Sequence, residues 1–203
     1  MDSLDRLLPL TDALLRRVDA MLEWGGAPSG HEVWRQIRRV RLLPGDAVQA
    51  VAALRPAELQ EAAQRLRRES RDYAGIAGSL PGSGSWSGPA AEAYDRTRQR
   101  LANHLSGTDQ SLDERLAASA TLAERLAAWM STARSATAAA LVEVLTSVES
   151  VRLSGEEPDP ESLPDTLAAA AAATVVLRAV ADAYDAGQDL LFETTKLKRP
   201  LTL

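Results

Sequence analysis

From Leu101 to Val151 the apolar positions Leu101, Leu105, Leu112, Leu116, Leu122, Leu126, Met130, Ala133, Thr137, Leu141, Val144, Val148 and Val151 follow one another almost always at steps of three, four or seven residues. That spacing holds one stripe on one side of an α-helix and cannot hold one face of a strand, where the period is two. No stretch of the chain shows a convincing period-two alternation, so the expectation is an all-α fold without a sheet. Composition agrees with the pattern. Hydrophobic residues make up 45% of the 203 residues but aromatics only 4%, and the apolar share is rich in Ala and Leu. These are strong helix formers whose small or flexible side chains let helices approach closely.

Five helical segments can be traced. The first is placed from about Pro9 to Trp24, with Leu14, Val18 and Met21 on its inner face and Gly25-Gly26 as its stop. Ser29 and Glu32 have capping-box spacing, so a second helix is expected near Gly30 to Leu43, closed by Pro44-Gly45. A third begins at Asp46, and Pro56 either kinks it or opens a fresh helix at its first position; Leu59, Ala62, Leu66, Tyr73, Ile76 and Leu80 continue the seam. The run Leu80 to Gly88 is a turn by composition. Pro89 then opens a long helix to about residue 153, spanning ~98 Å if unbroken, with Gly107-Thr108-Asp109 the place where it would break. Residues 154–164 form a Pro-rich connection. The last helix carries Leu167, Ala170, Thr174, Leu177, Ala181, Tyr184, Gln188 and Leu191, with Lys196, Lys198 and Arg199 at the C-terminal end that suits cations. The predicted architecture is an elongated antiparallel helical bundle built on a long helix-turn-helix hairpin. It divides into an N-terminal helical extension (1–45), the hairpin (46–153), and a linker with a C-terminal helix packing on the hairpin (154–203).

The chain has no Cys, which removes disulfides, thiolate metal sites and Cys nucleophiles. Its first ten residues carry Asp2 and Asp5 and lack the pattern of a cleaved secretory signal. The longest uncharged apolar stretch, Thr166 to Leu177, is far short of the ~20 residues that span a bilayer, so no membrane span is expected. The expected location is the cytoplasm on synthesis, with any export using a route that needs no cleaved signal peptide.

A net charge of −5 argues against general nucleic-acid binding, although residues 31–80 hold nine Arg against six acids. Arg35, Arg38, Arg39 and Arg41 crowd one short helix, and Arg65, Arg67, Arg68 and Arg71 another. A solvated helix face explains them best, with a contact patch for an acidic partner as the alternative. His31-Glu32-Val33-Trp34 begins like a zinc-protease helix, but the position of its second His is Arg35. Gly82, Gly84 and Gly88 lack the Lys-Ser/Thr of a phosphate loop, and Trp86 occupies the place of a nucleophile elbow's Ser. No catalytic residue, metal ligand or cofactor site is expected, and the chain is read as not an enzyme.

The informative site is Trp86-Ser87-Gly88-Pro89-Ala90-Ala91-Glu92-Ala93-Tyr94, placed in the turn between two amphipathic helices. Gly88 can take a backbone conformation closed to other residues. Ala90, Ala91 and Ala93 let the opening turn of the next helix pack closely, and Tyr94 follows one to two turns beyond the Trp. This run resembles the Trp-x-Gly family of type VII (ESX-type) secretion proteins of actinobacteria and related bacteria, over roughly residues 46–153. The resemblance implies two helical hairpins pairing into a four-helix bundle. It also implies that Trp86, Gly88 and Tyr94 belong to a partner- or export-recognition surface. Two departures stand beside it. The family's export signal is a Tyr followed four residues later by an acid, whereas Tyr73, Tyr94 and Tyr184 are followed there by Ala77, Arg98 and Gln188. The chain also carries helices before and after the hairpin, which could cover part of what a partner covers in short family members. The implied function is a non-catalytic helical binding protein associated with type VII secretion, as substrate or partner. It would act by helix–helix packing, with another Trp-x-Gly protein or a secretion component, and exist as a monomer or a modest homodimer. The alternative is a cytoplasmic coiled-coil scaffold or regulator unrelated to secretion.

Overall fold

The computed structural model describes residues 2–155 and 159–197; the side chains of 191 and 193–197 are outside that description. The apolar position Leu191 and the cations Lys196, Lys198 and Arg199 at the end of the last helix therefore lie outside the described side chains. The described residues form eight helices and no strand: α1 (Ser3–Trp24), α2 (Val33–Val40), α3 (Pro44–Ala52), α4 (Pro56–Ser79), α5 (Pro89–Leu105), α6 (Leu112–Leu145), α7 (Val148–Ser154) and α8 (Leu163–Leu197). The all-α expectation holds.

Several boundaries differ from the sequence reading. Helix α1 starts six residues before Pro9, where Asp2 and Asp5 form a reciprocal capping box and leave the proline inside the helix. Helix α2 is shorter than expected. The Ser29–Glu32 box does not form; instead the Nδ1 of His31 accepts from the Val33 N–H at 3.2 Å, and the Glu32 carboxylate takes Arg35 and Gln36. The helix ends at Arg41, which sits in the left-handed region with φ 60°. Pro44 does not close α2 but opens α3, because a proline at the first helical position loses no hydrogen bond. Pro56 likewise opens α4. The single long helix expected from 89 to 153 is three. Gly107, at φ 98°, breaks it where expected, and the Asp113 carboxylate accepts from the Ser106 and Ser111 hydroxyls at the break. A second break, at Thr146-Ser147, has no glycine. There Ser147 turns extended and its hydroxyl accepts from the Ser150 N–H.

The contacts divide the chain into two units. One comprises Met1–Arg55 and Ala128–Asp189; the other comprises Pro56–Ala127 and the end of the chain from Leu190. The first unit holds the hydrophobic core. Leu4, Leu14, Leu15, Val18, Met21 and Leu22 of α1 meet Val33 and Val40 of α2, Val48 and Val51 of α3, Leu141 and Val144 of α6, and Leu153 of α7. Helix α8 enters the same core with Ala168, Ala169, Ala170, Ala172, Ala173, Val176, Leu177, Val180 and Ala181. This is a far wider face than a three-four stripe, as expected of a helix surrounded by others. The segment Leu163–Leu190 is long and apolar enough to cross a membrane by length and composition, its most apolar window having a mean hydropathy of 1.5. Within the protein, 61% of its most apolar window is buried. Helix α1 packs on α3 and α7.

A buried guanidinium ties this unit together. Arg134, 4% exposed, donates from Nε to Asp2 Oδ2 at 2.6 Å and from Nη2 to Asp2 Oδ1 at 3.0 Å and Asp5 Oδ1 at 2.6 Å. Its Nη1 donates to the Ala52 carbonyl at 2.5 Å. One side chain of α6 thus anchors the start of α1 and donates to the carbonyl end of α3, as the planar fork of arginine allows.

In the second unit α4 and α5 pack on each other as the arms of a hairpin. Arg67 of α4 grips Glu124 of α6 through two bonds of 2.6 Å, and the Ser70 hydroxyl donates to the Asp113 carbonyl. Among its described residues the buried apolar side chains are almost all alanine: Ala63, Ala91, Ala120, Ala123 and Ala127. Leu105, Leu112, Leu116, Leu122 and Leu126 are only half-buried, and Ile76 and Leu101 are exposed.

Candidate functional site

The turn between α4 and α5 is built by backbone constraints that can be followed residue by residue. The Trp86 N–H donates to the Ser83 carbonyl at 3.1 Å, closing a tight turn around Gly84, whose φ is 60°. Gly88 caps α5 at φ 96° and ψ −177° with no atom near its Cα that a side chain would meet; what the position requires is the backbone angle, not space. Pro89 occupies the first helical position, and the Gly88 carbonyl accepts from the Glu92 N–H at 3.1 Å.

That turn sets Trp86 and Tyr94 side by side. Their ring centroids are 5.9 Å apart with planes tilted by 49°, within the range of favourable aromatic pairs. The Tyr94 hydroxyl donates back across the turn to the Pro81 carbonyl at 2.8 Å, which fixes the ring against which Trp86 leans. Trp86 is nevertheless 53% exposed and Tyr94 37%. The two rings are an ordered aromatic surface at the tip of the hairpin and fill no core.

A second clasp holds the same tip and was not legible in the sequence. The Ser83 hydroxyl donates to Asp95 Oδ2 at 2.7 Å and its N–H to Oδ1 at 3.3 Å. The Ser83 hydroxyl, with further help from its N–H and from Arg98, holds the Asp95 carboxyl below the usual carboxylate range. Ser83 and Asp95 are twelve residues apart, a separation without meaning until the turn is folded.

The three residues singled out in the sequence, Trp86, Gly88 and Tyr94, are thus brought into one feature. The other candidates are not. His31 is a helix cap and His104 lies in the last turn of α5, and among the described residues no group of His, Asp or Glu could hold a metal ion. Four of the eight clustered arginines, Arg35, Arg39, Arg67 and Arg71, are engaged within the fold. Arg39 donates to Asp182 at 3.0 Å and Asp185 at 2.6 Å, Arg35 pairs with Glu32, and Arg71 donates to the Arg67 carbonyl. Arg38 and Arg41 line an open groove with Ile37, Leu42, Leu43 and Asp46. No known protein family matches the chain, and neither the curated proteins nor the solved structures compared with it give a match.

Proposed function

We propose that this chain is a non-catalytic helical binding protein associated with type VII (ESX-type) secretion, as substrate or as partner of a secretion component. The observation that supports this reading is the Trp86–Tyr94 pair, held half-exposed on a Gly88 turn between two packed amphipathic helices. An aromatic pair that is ordered yet outside the core supplies contact area at low entropic cost to a partner. Below it, the α4–α5 arms bury alanines and leave Ile76 and Leu101 exposed. That is a surface for another helical protein to cover.

The test is export and crosslinking in an actinobacterium with a working type VII system. The full chain, carrying a photo-reactive group at position 86, is expected in the culture filtrate or crosslinked to a component of that system. Both signals are expected to disappear when the system's ATPase is deleted. Retention in the cells with no ATPase-dependent crosslink overturns the proposal and leaves the reading of a cytoplasmic helical scaffold.

A further inference from the structure

The four arginines at α2 divide by what the fold does with them. Arg35 donates to Glu32 at 2.9 Å, and Arg39 reaches Asp182 at 3.0 Å and Asp185 at 2.6 Å. The side chains of Arg38 and Arg41 are exposed and make no hydrogen bond or ion pair among the described residues. Both line one open groove of about 670 Å³ at the junction of α2 and α3, together with Ile37, Leu42, Leu43 and Asp46. Ile37, Leu42 and Leu43 pack against the core of the first unit yet are only half-buried. The groove thus combines an apolar lining with two uncommitted cations and one acid.

The backbone of Arg41 points the same way. At φ 60° and ψ 27° it caps α2 in the left-handed region, and among the described residues it is the only one besides glycines with a positive φ. Such a cap is usually glycine, because a Cβ there crowds the following carbonyl. The Arg41 N–H donates to the Ile37 carbonyl at 2.7 Å, a bond that glycine would make equally well. The fold therefore uses the backbone of Arg41 for its turn and holds its guanidinium by no polar contact among the described residues. An arginine kept in a glycine's conformation, with its charge free in a groove, is accounted for by a ligand that needs the charge.

We propose that this groove binds a short acidic segment of a partner protein. Apolar side chains of the segment lie on Ile37, Leu42 and Leu43, and its carboxylates meet Arg38 and Arg41, whose planar forks match a carboxylate. Asp46 repels any carboxylate placed beside it and so restricts where the segment's acids lie. An anionic membrane fits less well, because headgroup recognition draws on clusters of about four to eight cations and this concavity has two. Single-stranded nucleic acid stacks on aromatic rings, and no aromatic lines the groove. The net charge of −5 opposes both of these polyanions. The groove shares no residue with the Trp86–Tyr94 pair and is filled independently of what that pair binds.

Subtractive peptide display on the full chain tests this, with circular dichroism to verify the fold of each variant. A library of random short peptides is enriched on the wild type and depleted on Arg38→Glu/Arg41→Glu. The peptides that remain are expected to combine Asp or Glu with Leu, Ile or Phe. Fluorescein-labelled copies of them, followed by anisotropy, are expected to bind the double reversal at least about tenfold more weakly than the wild type. Salt at about 0.5 M is expected to weaken binding to the wild type by screening. Arg41→Gly separates a ligand role from a structural one: its Tm is expected to equal or exceed that of the wild type, while its affinity falls at least about fivefold. The inference is overturned if no peptide survives the subtraction, or if the survivors lack acids. It is also overturned if Arg41→Gly lowers the Tm and keeps the affinity. Binding of the wild type, but not of the double reversal, to vesicles of phosphatidylserine and phosphatidylcholine, with no peptide selected, would assign the groove to a membrane instead.

Discussion

The indole of Trp129 packs against the one position of α8 that has no side chain, Gly187: a Cβ there would stand 2.8 Å from Trp129 Cζ2 and 2.9 Å from Cε2. The same indole donates from Nε1 to the Ala183 carbonyl at 2.7 Å, one turn earlier. Gly187 thus admits the only tryptophan that joins α6 to α8, and the hydrogen bond sets how deep it goes.

Gly187→Ala is therefore expected to destabilise the protein. In an open helix the change would gain about 0.5–1 kcal/mol. Here forcing the ring aside costs about 1–3 kcal/mol, and the steric effect is expected to win. Thermal unfolding followed by circular dichroism measures it; an unchanged or raised Tm would mean that Trp129 can shift freely.

Trp86→Ala is expected to leave the fold nearly intact. The ring is half exposed and its main contact is Tyr94, so the loss is on the order of 1 kcal/mol, well below the ~3–5 kcal/mol of a buried aromatic. If Trp86 serves recognition, the same variant loses partner binding or export. A large fall in Tm with binding unaffected would show the opposite role.

Arg134→Ala is expected to cost more than any surface arginine. It removes the guanidinium bonds to Asp2, Asp5 and the Ala52 carbonyl and leaves the two carboxylates only their capping-box N–H donors, a loss of about 2–4 kcal/mol for a buried charged group with several bonds. The hydrogen bond to Arg134 holds the Asp2 carboxyl at about 2 and places Asp5 below its ordinary value. Because these folded-state values are depressed, their contribution is present above the unfolded value near 4 and is lost as the pH falls toward 2. Wild type and Arg134→Ala should therefore differ most near neutrality and converge in acid. Parallel pH profiles from denaturant titrations would contradict this.

Asp19 acts in the other direction. Burial pushes its carboxyl up to about 6, the Gly45 N–H partly opposes this, and Asp46 and Glu23 add repulsion. A carboxyl whose folded value is raised favours folding when protonated, so its penalty is full above pH 6 and is relieved as the pH falls from about 6 toward 4. Asp19→Asn, which keeps an oxygen for the Gly45 N–H, is expected to raise stability at pH 7 by about 1–2 kcal/mol, and to have little effect near pH 4. An equal effect at both pH values would place the origin elsewhere.

The arginine-rich helices are expected not to bind nucleic acid at physiological salt. Arg39 and Arg67 are already committed to Asp182, Asp185 and Glu124, and the whole chain is acidic. A mobility-shift titration of duplex DNA across a salt series checks this; tight binding with a steep salt slope would overturn it.

Helix period, alanine-rich composition and cap residues are local properties, and they determined by themselves that the chain is helical, where Pro89 opens a helix and where Gly107 breaks one, while leaving open whether Pro56 kinks a helix or opens one. They also marked Trp86, Gly88 and Tyr94, because a turn between two periodic segments is defined by neighbours in sequence. Competing local signals misplaced the starts at Asp2 and Pro44, where a capping box or a tolerated proline won over a supposed breaker. What only the tertiary structure decided is which stripe becomes core. The seam runs unbroken from Leu101 to Val151, yet Ala133, Leu141 and Val144 are buried while Leu101, Val148 and Val151 are exposed. Periodicity says which residues share a face and nothing about what lies opposite that face. The same reason hid Arg134, Asp19 and Gly187. Each acts on a residue 26 to 132 positions away only after other helices have brought the partner there, and no spacing in the sequence encodes that meeting.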